Sequence, residues 1–321
     1  LSRSYESRGG VTQGYTLGSL LFLIFIYDLS FEIKCLHLFF ADDLKIFTSI
    51  KSFDDCAVLQ NNLTLISSWC SRNFLTVNIS KCKVVSFTRK SNCLIYDDYN
   101  INGQIIERCT SFKDLGVIFD SKLTFTEHIN HITSAASRLL GFCIRNWKEF
   151  SNVNSLKTLY FSFVRSKLEY GTLIWSPIYQ NSIVSVEAIQ RKALKYFFLK
   201  CTGFYPPRGF CHSTLLEMFS IDRLSTRRNT FALSFLYGLM NGITDCPYLL
   251  GQVNICVPRL GNRHPPLFYC NPYHTNIMLK SPLNVMCSLF NSICKHCDIY
   301  NDSCESIISH YKSELSNVEH L

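Results

Sequence analysis

Phe39-Phe40-Ala41-Asp42-Asp43-Leu44 sets two adjacent carboxylates between two apolar runs. Upstream, Leu36, Leu38 and Phe40 alternate with His37 and Phe39; downstream, Leu44 and Ile46 alternate with Lys45 and Phe47. A period of two is the mark of strands, so the segment predicts a β-hairpin with the two acids at its turn. Neighbouring carboxylates repel unless water or a cation lies beside them. The turn is therefore either solvated, which is common Asp turn chemistry, or a site for a divalent cation. The local residues leave both readings open.

Before the hairpin, Arg8-Gly9-Gly10-Val11-Thr12-Gln13-Gly14-Tyr15-Thr16-Leu17-Gly18 forms a Gly-rich polar loop leading into the apolar run 20–27. Glycines ahead of a helix allow close approach of backbone to a ligand. The spacing matches neither the dinucleotide fingerprint nor the P-loop, since no Lys-Ser/Thr follows. The run 20–27 is too short to span a bilayer and reads as buried core, so no membrane role is expected.

After the hairpin, Ser52-Phe53-Asp54-Asp55 has the spacing of a capping box. Leu59, Leu63, Ile66 and Trp69 then recur at helical spacing to about Arg72, predicting a helix over one face of the sheet. A strand is expected at Val84-Val85-Ser86-Phe87 and another over Leu115-Gly116-Val117-Ile118-Phe119. Asn102-Gly103 between Ile101 and Gln104 predicts a two-residue hairpin turn. To about residue 122 the order of elements implies an α+β fold with a mainly antiparallel sheet and flanking helices.

From residue 127 the period becomes helical. Ile132, Ala135, Ala136, Leu139, Leu140 and Cys143 mark one helix, and Leu156, Leu159, Tyr160, Phe163, Val164 and Leu168 a second. A third follows the break at Ser176-Pro177, through Val186, Ile189, Ala193, Leu194 and Phe197. These helices hold ten Lys or Arg between residues 130 and 200 against three Glu, which accounts for +7 of the net +8 of the chain. Such a segment is either a set of solvated helix faces or a surface for a polyanion, nucleic acid first. Arg138, Arg145, Lys148, Arg165, Arg191 and Lys192 are the candidate contacts. Beyond Cys201, prolines divide short helical patches into an irregular, mostly α region.

The chain has 321 residues, 47% hydrophobic and 17% charged, which excludes a disordered segment. No signal-peptide pattern follows Leu1, and the N-terminus reads as a cut edge. Sixteen cysteines without a regular frame fit reduced thiols in an intracellular protein of the nucleus or cytoplasm. Cys294-Lys295-His296-Cys297, with Cys287 and Cys304 nearby, invites a zinc reading. The helical spacing of Met286, Leu289, Phe290 and Ile293 favours buried thiols on an amphipathic helix instead, and no zinc is expected.

Taken in order, four of these segments resemble the reverse transcriptase (RNA-directed DNA polymerase) of non-LTR, LINE-like, jockey-type retrotransposons, in the second half of its polymerase domain. Gly10 to Phe22 is similar to the family's loop and helix G-V-P-Q-G-S-x-L-G-P-x-L-F. Phe40-Ala41-Asp42-Asp43 resembles the aromatic-Ala-Asp-Asp turn. Trp69, Asn73, Leu75, Asn78 and Lys81 follow the family's W-x-x-x-N-x-L-x-x-N-x-x-K spacing, and Phe112 to Asp120 resembles the F-x-Y-L-G-x-x-x-D primer-grip hairpin. Tyr170-Gly171 and Trp175 through Arg191 resemble the helical thumb and the segment after it. The resemblance implies a partial palm over residues 1–126, a basic helical thumb over 127–200, and a region of unknown role over 201–321.

The resemblance also implies two-metal nucleotidyl transfer from deoxynucleoside triphosphates to a DNA primer on an RNA template. Asp42 would be a metal ligand with Asp43 beside it, for Mg²⁺ with Mn²⁺ as the alternative. Gln13, Gly14 and Phe40 would face the template and nucleotide, and Lys81 the leaving pyrophosphate. Leu115 and Gly116 would grip the primer. The loop departs from the family pattern at Thr12, Tyr15 and Ser19, where Pro, Ser and Pro are usual. The family's first catalytic Asp lies several dozen residues before the Gln-Gly loop, ahead of Leu1. Asp28 is no substitute, because it falls at a helix-end position. The expectation is therefore a truncated enzyme that holds half a metal site and does not polymerise on its own. The alternative is an inactive nucleic-acid-binding remnant or degenerate element copy.

Overall fold

The Asp-Asp segment folds as a hairpin. In the computed structural model, which describes residues 16–88, 97–257, 266–272 and 275–319, β1 (Leu36–Phe40) pairs antiparallel with β2 (Asp43–Phe47). The closing pair is Phe40 with Asp43, which leaves Ala41 and Asp42 as a two-residue loop. Ala41 takes a positive φ of 51°, as tight hairpin loops require. The chain divides into two units, residues 1–112 and residues 113–321.

In the first unit, α1 (Thr16–Ile26) and α2 (Leu29–Glu32) precede the hairpin and α3 (Phe53–Arg72) follows it. The capping box at the start of α3 is present: Ser52 Oγ accepts from the Asp55 N–H, and the Asp55 carboxylate accepts from the Ser52 N–H. The helix stops where the Asn73 amide donates to the Trp69 carbonyl and Phe74 turns to a positive φ of 57°. Its two halves serve two clusters. Ile66, Trp69 and Cys70 pack with Ile26, Leu29 and Ile33 and with the inward hairpin residues Phe39, Leu44 and Ile46. Cys56, Leu59 and Leu63 pack instead with Tyr99, Ile101 and Ile106.

The remaining strands of this unit are short: β3 (Lys83–Val84), β4 (Asn100–Ile101), β5 (Gln104–Ile105) and β6 (Glu107–Arg108). β4 and β5 form the expected hairpin, with Asn102 and Gly103 both at positive φ. Gln60 on α3 holds it through reciprocal bonds to the Asn100 backbone, both 2.9 Å. β3 pairs in parallel with β6, so the strand content is not uniformly antiparallel. The architecture is α+β, built from two-stranded ladders and helices.

Three expectations need correction. Of the strand expected at 84–87 only Val84 is strand, as the second residue of β3, because β6 offers a two-residue partner. Leu115-Gly116 is a turn, not strand, with φ of 43° and 88° between β7 (Ser111–Asp114) and β8 (Val117–Asp120). The apolar run 20–27 is a helix but not buried core. Leu20, Leu21, Leu23, Ile24, Phe25 and Tyr27 are exposed, and only Ile26 is fully covered. The run is apolar around its whole circumference, whereas α3 and the hairpin cover a single stripe through Phe22 and Ile26.

The second unit is helical. α4 (Thr126–Asn146) is followed by α5 (Val153–Leu159), a π-helical stretch Tyr160–Arg165, α6 (Ser166–Glu169) and α7 (Thr172–Trp175). Then come α8 (Gln180–Thr202) and α9 (His212–Phe219), separated from α7 by the break at Ser176-Pro177. One cluster joins them around Leu140, Tyr160, Trp175 and Phe197, all fully buried. Beyond it lie α10 (Leu224–Met240), α11 (Pro247–Leu250), α12 (Asn276–Leu279), α13 (Pro282–Ile293) and α14 (Cys304–Glu319). A second cluster joins α10, α13 and α14 through Leu236, Phe290, Ile293 and Ile307. α13 carries the buried Cys287 thiol, whose pKa burial pushes up to about 12. No helix among the described residues is long and apolar enough to cross a membrane.

Candidate functional site

The hairpin register fixes what each side chain near the carboxylates faces. Directly opposed residues of an antiparallel pair share a face, and the face alternates along each strand. Phe39 with Leu44 and His37 with Ile46 therefore form the inner face, toward α3. Leu36, Leu38, Phe40, Asp43, Lys45 and Phe47 form the outer face. Asp42 stands at the apex of the loop and Asp43 at the first position of β2, and both are exposed. Phe40, the cross-strand neighbour of Asp43, is 58% exposed. The loop thus presents two carboxylates and an aromatic ring outward on a support anchored beneath by Trp69.

This donor set suits a hard divalent cation. Such cations take oxygen ligands, and two adjacent exposed Asp side chains supply two carboxylates of the kind they bind. Among the described residues no group of three or more His, Cys, Asp or Glu side chains converges. Lys81 ends the 3-10 turn Ile79–Lys81, which Ile79 and Cys82 anchor in the cluster around Tyr99. Its side chain is exposed, and among the described residues it makes no ion pair with Asp42 or Asp43. Gln13 and Gly14 lie outside the described residues. Asn73, Leu75 and Asn78 have structural work: closing α3, filling its cluster, and accepting the Lys81 N–H.

In the second unit, the Leu115-Gly116 turn is held from one side. Tyr170 Oη donates to the Leu115 carbonyl at 2.8 Å, and a Cβ on Gly116 would meet Tyr170 Cε1 at 3.0 Å. Gly171 takes a φ of 67° and packs against Val117 of β8. Trp175 Nε1 donates to the Tyr170 carbonyl at 2.7 Å. His128 completes the support, accepting the Ile118 N–H on Nδ1 at 3.2 Å with its ring edge-on to Trp175. Burial, with His131 and Lys113 nearby, lowers its pKa to about 4, so the ring is neutral. Asp120 closes the hairpin's far end. Its carboxylate accepts from the N–H groups of Lys122, Thr124 and Phe125 and from the Thr124 hydroxyl. Partial burial raises its pKa, and these hydrogen bonds more than offset that, leaving the group below the usual carboxylate range.

The six candidate basic residues do not behave alike. Arg138 and Arg145, seven residues apart and so on one face of α4, are exposed, as are Lys148, Arg191 and Lys192. The ends of α4 and α8 meet, with Lys200 Nζ donating to the Lys148 carbonyl at 2.6 Å and Trp147 against Tyr196 and Phe197. Arg165 departs from the group. Its guanidinium lies 3.5 Å over the Phe161 ring and pairs with Glu169, with 16% of the side chain exposed. It serves a partly buried network in which Glu169 also holds Arg227. Helical period and charge alone do not distinguish an inward arginine from an outward one.

Residues 2–119 match the family model described as reverse transcriptase (RNA-dependent DNA polymerase). The chain is 27% identical over 199 residues to the probable RNA-directed DNA polymerase from transposon BS of Drosophila melanogaster, covering 59% of this chain and 22% of that protein. It is 27% identical over 208 residues to the corresponding protein of transposon X-element from the same organism, covering 61% and 22%. The RNA-directed DNA polymerase from mobile element jockey of Drosophila melanogaster is 26% identical over 198 residues, covering 58% and 21%. The chain thus spans about a fifth of the length of the curated relatives it matches. No solved structure matches it.

Proposed function

With residues 2–119 matching the reverse transcriptase family model and the chain similar to polymerases of Drosophila mobile elements, we propose that it belongs with the reverse transcriptases of non-LTR retrotransposons, takes part in RNA-templated DNA synthesis and supplies its paired metal-binding carboxylates. The observation that carries the reading is the two-residue loop between Phe40 and Asp43, which presents Asp42 and Asp43 together to solvent. Asp42 at the apex is the metal ligand, and Asp43 beside it shares the ion or orders its waters. Asp42 and Asp43 would hold a divalent cation there, normally Mg²⁺, which when bound would supply activation of a primer 3′-hydroxyl and charge neutralisation at a triphosphate. Phe40 offers its exposed ring to the nucleotide, Lys81 a cation to the pyrophosphate, and Gln13 and Gly14 the template side.

Residues 1–126 act as part of a palm and 127–200 as a thumb. The Leu115-Gly116 turn meets the primer end. Arg138, Arg145, Lys148, Arg191 and Lys192 neutralise backbone phosphates of the RNA–DNA duplex. Arg165, paired with Glu169, is left out of that surface.

The test is extension of a DNA primer on an RNA template, with deoxynucleoside triphosphates and Mg²⁺, by the polypeptide that carries this chain. Asp42→Asn is expected to lower incorporation by on the order of a hundredfold or more, the scale on which loss of one transition-state-stabilising group acts. Unchanged incorporation in that variant overturns the reading. Salt-dependent duplex binding without any extension, in wild type and variant alike, would instead favour a nucleic-acid-binding remnant.

A further inference from the structure

A cavity of about 30 Å³ lies between α7, α10 and the start of α13, well away in sequence from the carboxylate hairpin. Arg228, Lys280, Thr172, Ser176 and Pro282 are on its wall. Arg228 is 5% exposed, yet its Nη1 has no hydrogen-bond partner among the described residues. Its other terminal nitrogen reaches Glu187 only at 4.0 Å. The Glu187 oxygens are already engaged by the Leu224 and Ser225 N–H groups at the head of α10, at 3.3 and 2.8 Å.

The charge around this point does not balance. Glu169 serves both Arg165 and Arg227, Glu187 stands alone with Arg228, and the nearby Asp222 is taken by Lys312. Asp222 also lies within electrostatic reach of Arg165 and Arg227, so Glu187 is the one carboxylate placed against Arg228 among the described ion pairs. Leaving a buried cation partly unpaired is costly, and an anion beside the guanidinium, where Arg228 lines the cavity, offsets that cost. Two further features point the same way. Lys280 brings an exposed ammonium to the wall. α13, twelve residues long, begins there with Pro282 at its first turn and a Ser281 N-cap that makes no side-chain cap bond, so the positive end of the helix dipole is uncapped.

We propose that this cavity is a binding site for a phosphate-type oxyanion. Arg228 holds it from the buried side, Lys280 from the open side, and the first turn of α13 contributes its field. The cavity volume is about twice the 10–15 Å³ that one water requires, which is the scale of a group with a few oxygens. A planar guanidinium and hydroxyl-bearing walls suit such an oxyanion better than a spherical ion. The same chemistry is offered by a backbone phosphate of nucleic acid and by free phosphate. The proposal does not depend on the polymerase reading, since it requires neither metal nor primer.

The test is thermal unfolding and calorimetric titration of the whole chain with inorganic phosphate, against sodium chloride at matched ionic strength. Phosphate is expected to raise the unfolding temperature of the wild type. Lys280→Ala, at an exposed position, is expected to keep the fold and weaken phosphate binding on the order of tenfold, the effect of one charge-assisted contact. Arg228→Met is expected to abolish phosphate stabilisation, and Arg228→Lys, which keeps the charge, to restore part of it. Equal stabilisation by phosphate and chloride, or phosphate binding unchanged in Lys280→Ala, overturns the proposal. Displacement of phosphate by a short single-stranded oligonucleotide assigns the site to a nucleic-acid backbone. Undisturbed phosphate binding in its presence assigns it to a free anion.

Discussion

Tyr170 Oη donates to the carbonyl of Leu115, 55 residues away in sequence, at 2.8 Å. The bond satisfies a backbone acceptor in a turn whose first residue, a leucine, holds a φ of 43° that side chains other than glycine rarely adopt. Trp175 holds Tyr170 in turn and Gly171 packs against Val117 of β8, so the hairpin expected to meet a primer is seated on the helical unit and not free at its tip.

Tyr170→Phe keeps the ring and removes the hydroxyl, so it should cost about 1 kcal/mol in urea unfolding. Gly116→Ala should cost more, about 1–3 kcal/mol, because it places a side chain at a φ of 88° as well as against the Tyr170 ring. Gly116→Ala being milder than Tyr170→Phe would refute this account of the turn.

Asp120→Ala removes the acceptor for three backbone N–H groups and one hydroxyl. A loss of about 2 kcal/mol is expected in the same measurement. The folded pKa of Asp120 lies below its ordinary value, so its contribution is fully present above the ordinary carboxylate range. It fades as pH falls through the folded pKa, and the Asp120→Ala difference should shrink there.

Buried His128 and His212 are both lowered to about 4, chiefly by burial. Each binds its proton more readily unfolded than folded between about pH 6.5 and 4. Stability should therefore decline as pH falls through that window, above the range where carboxylates contribute. His128→Gln should flatten the decline in a series of denaturation midpoints against pH, and an unaltered slope would count against the assignment.

Charge reversal at Arg138, Arg145 or Arg191 should weaken nucleic-acid binding and reduce the log–log salt slope by about one for each phosphate no longer neutralised, with unfolding unaffected. Arg165→Ala should do the opposite. It leaves Glu169 short of a partner and the Phe161 ring uncovered, so stability falls while the salt slope holds. Binding anisotropy over a salt series, paired with thermal unfolding, separates the two.

Local chemistry was legible in the chain itself. Ser52 and Asp55 cap α3 because their spacing admits one geometry, and Asn102-Gly103 turns because its residues tolerate positive φ. The carboxylate turn was readable for the same reason: alternation ends at Phe40 and resumes at Leu44, although the structure draws Asp43 out of the turn into the second strand opposite Phe40. The Leu115-Gly116 turn was missed, since leucine carries no turn signal and its φ is supported from Tyr170. Likewise, no periodicity shows that the run 20–27 keeps most of its side chains uncovered, because an apolar helix reads the same whether one stripe is packed or all of it.

The sequence by itself determined most of the elements, the Asp42-Asp43 pair and the likeness to reverse transcriptases, because each rests on residues a few positions apart. Only the tertiary structure decided which charges are free to act. Arg138 and Arg165 have the same side chain, but one lies on the outer face of α4 while the other is drawn over Phe161 to Glu169. Arg228 is sealed beside a cavity with one nitrogen unmatched among the described residues. The reason is that the energy of a charge depends on its burial and on partners brought from distant segments, and neither is encoded in the residue or its neighbours.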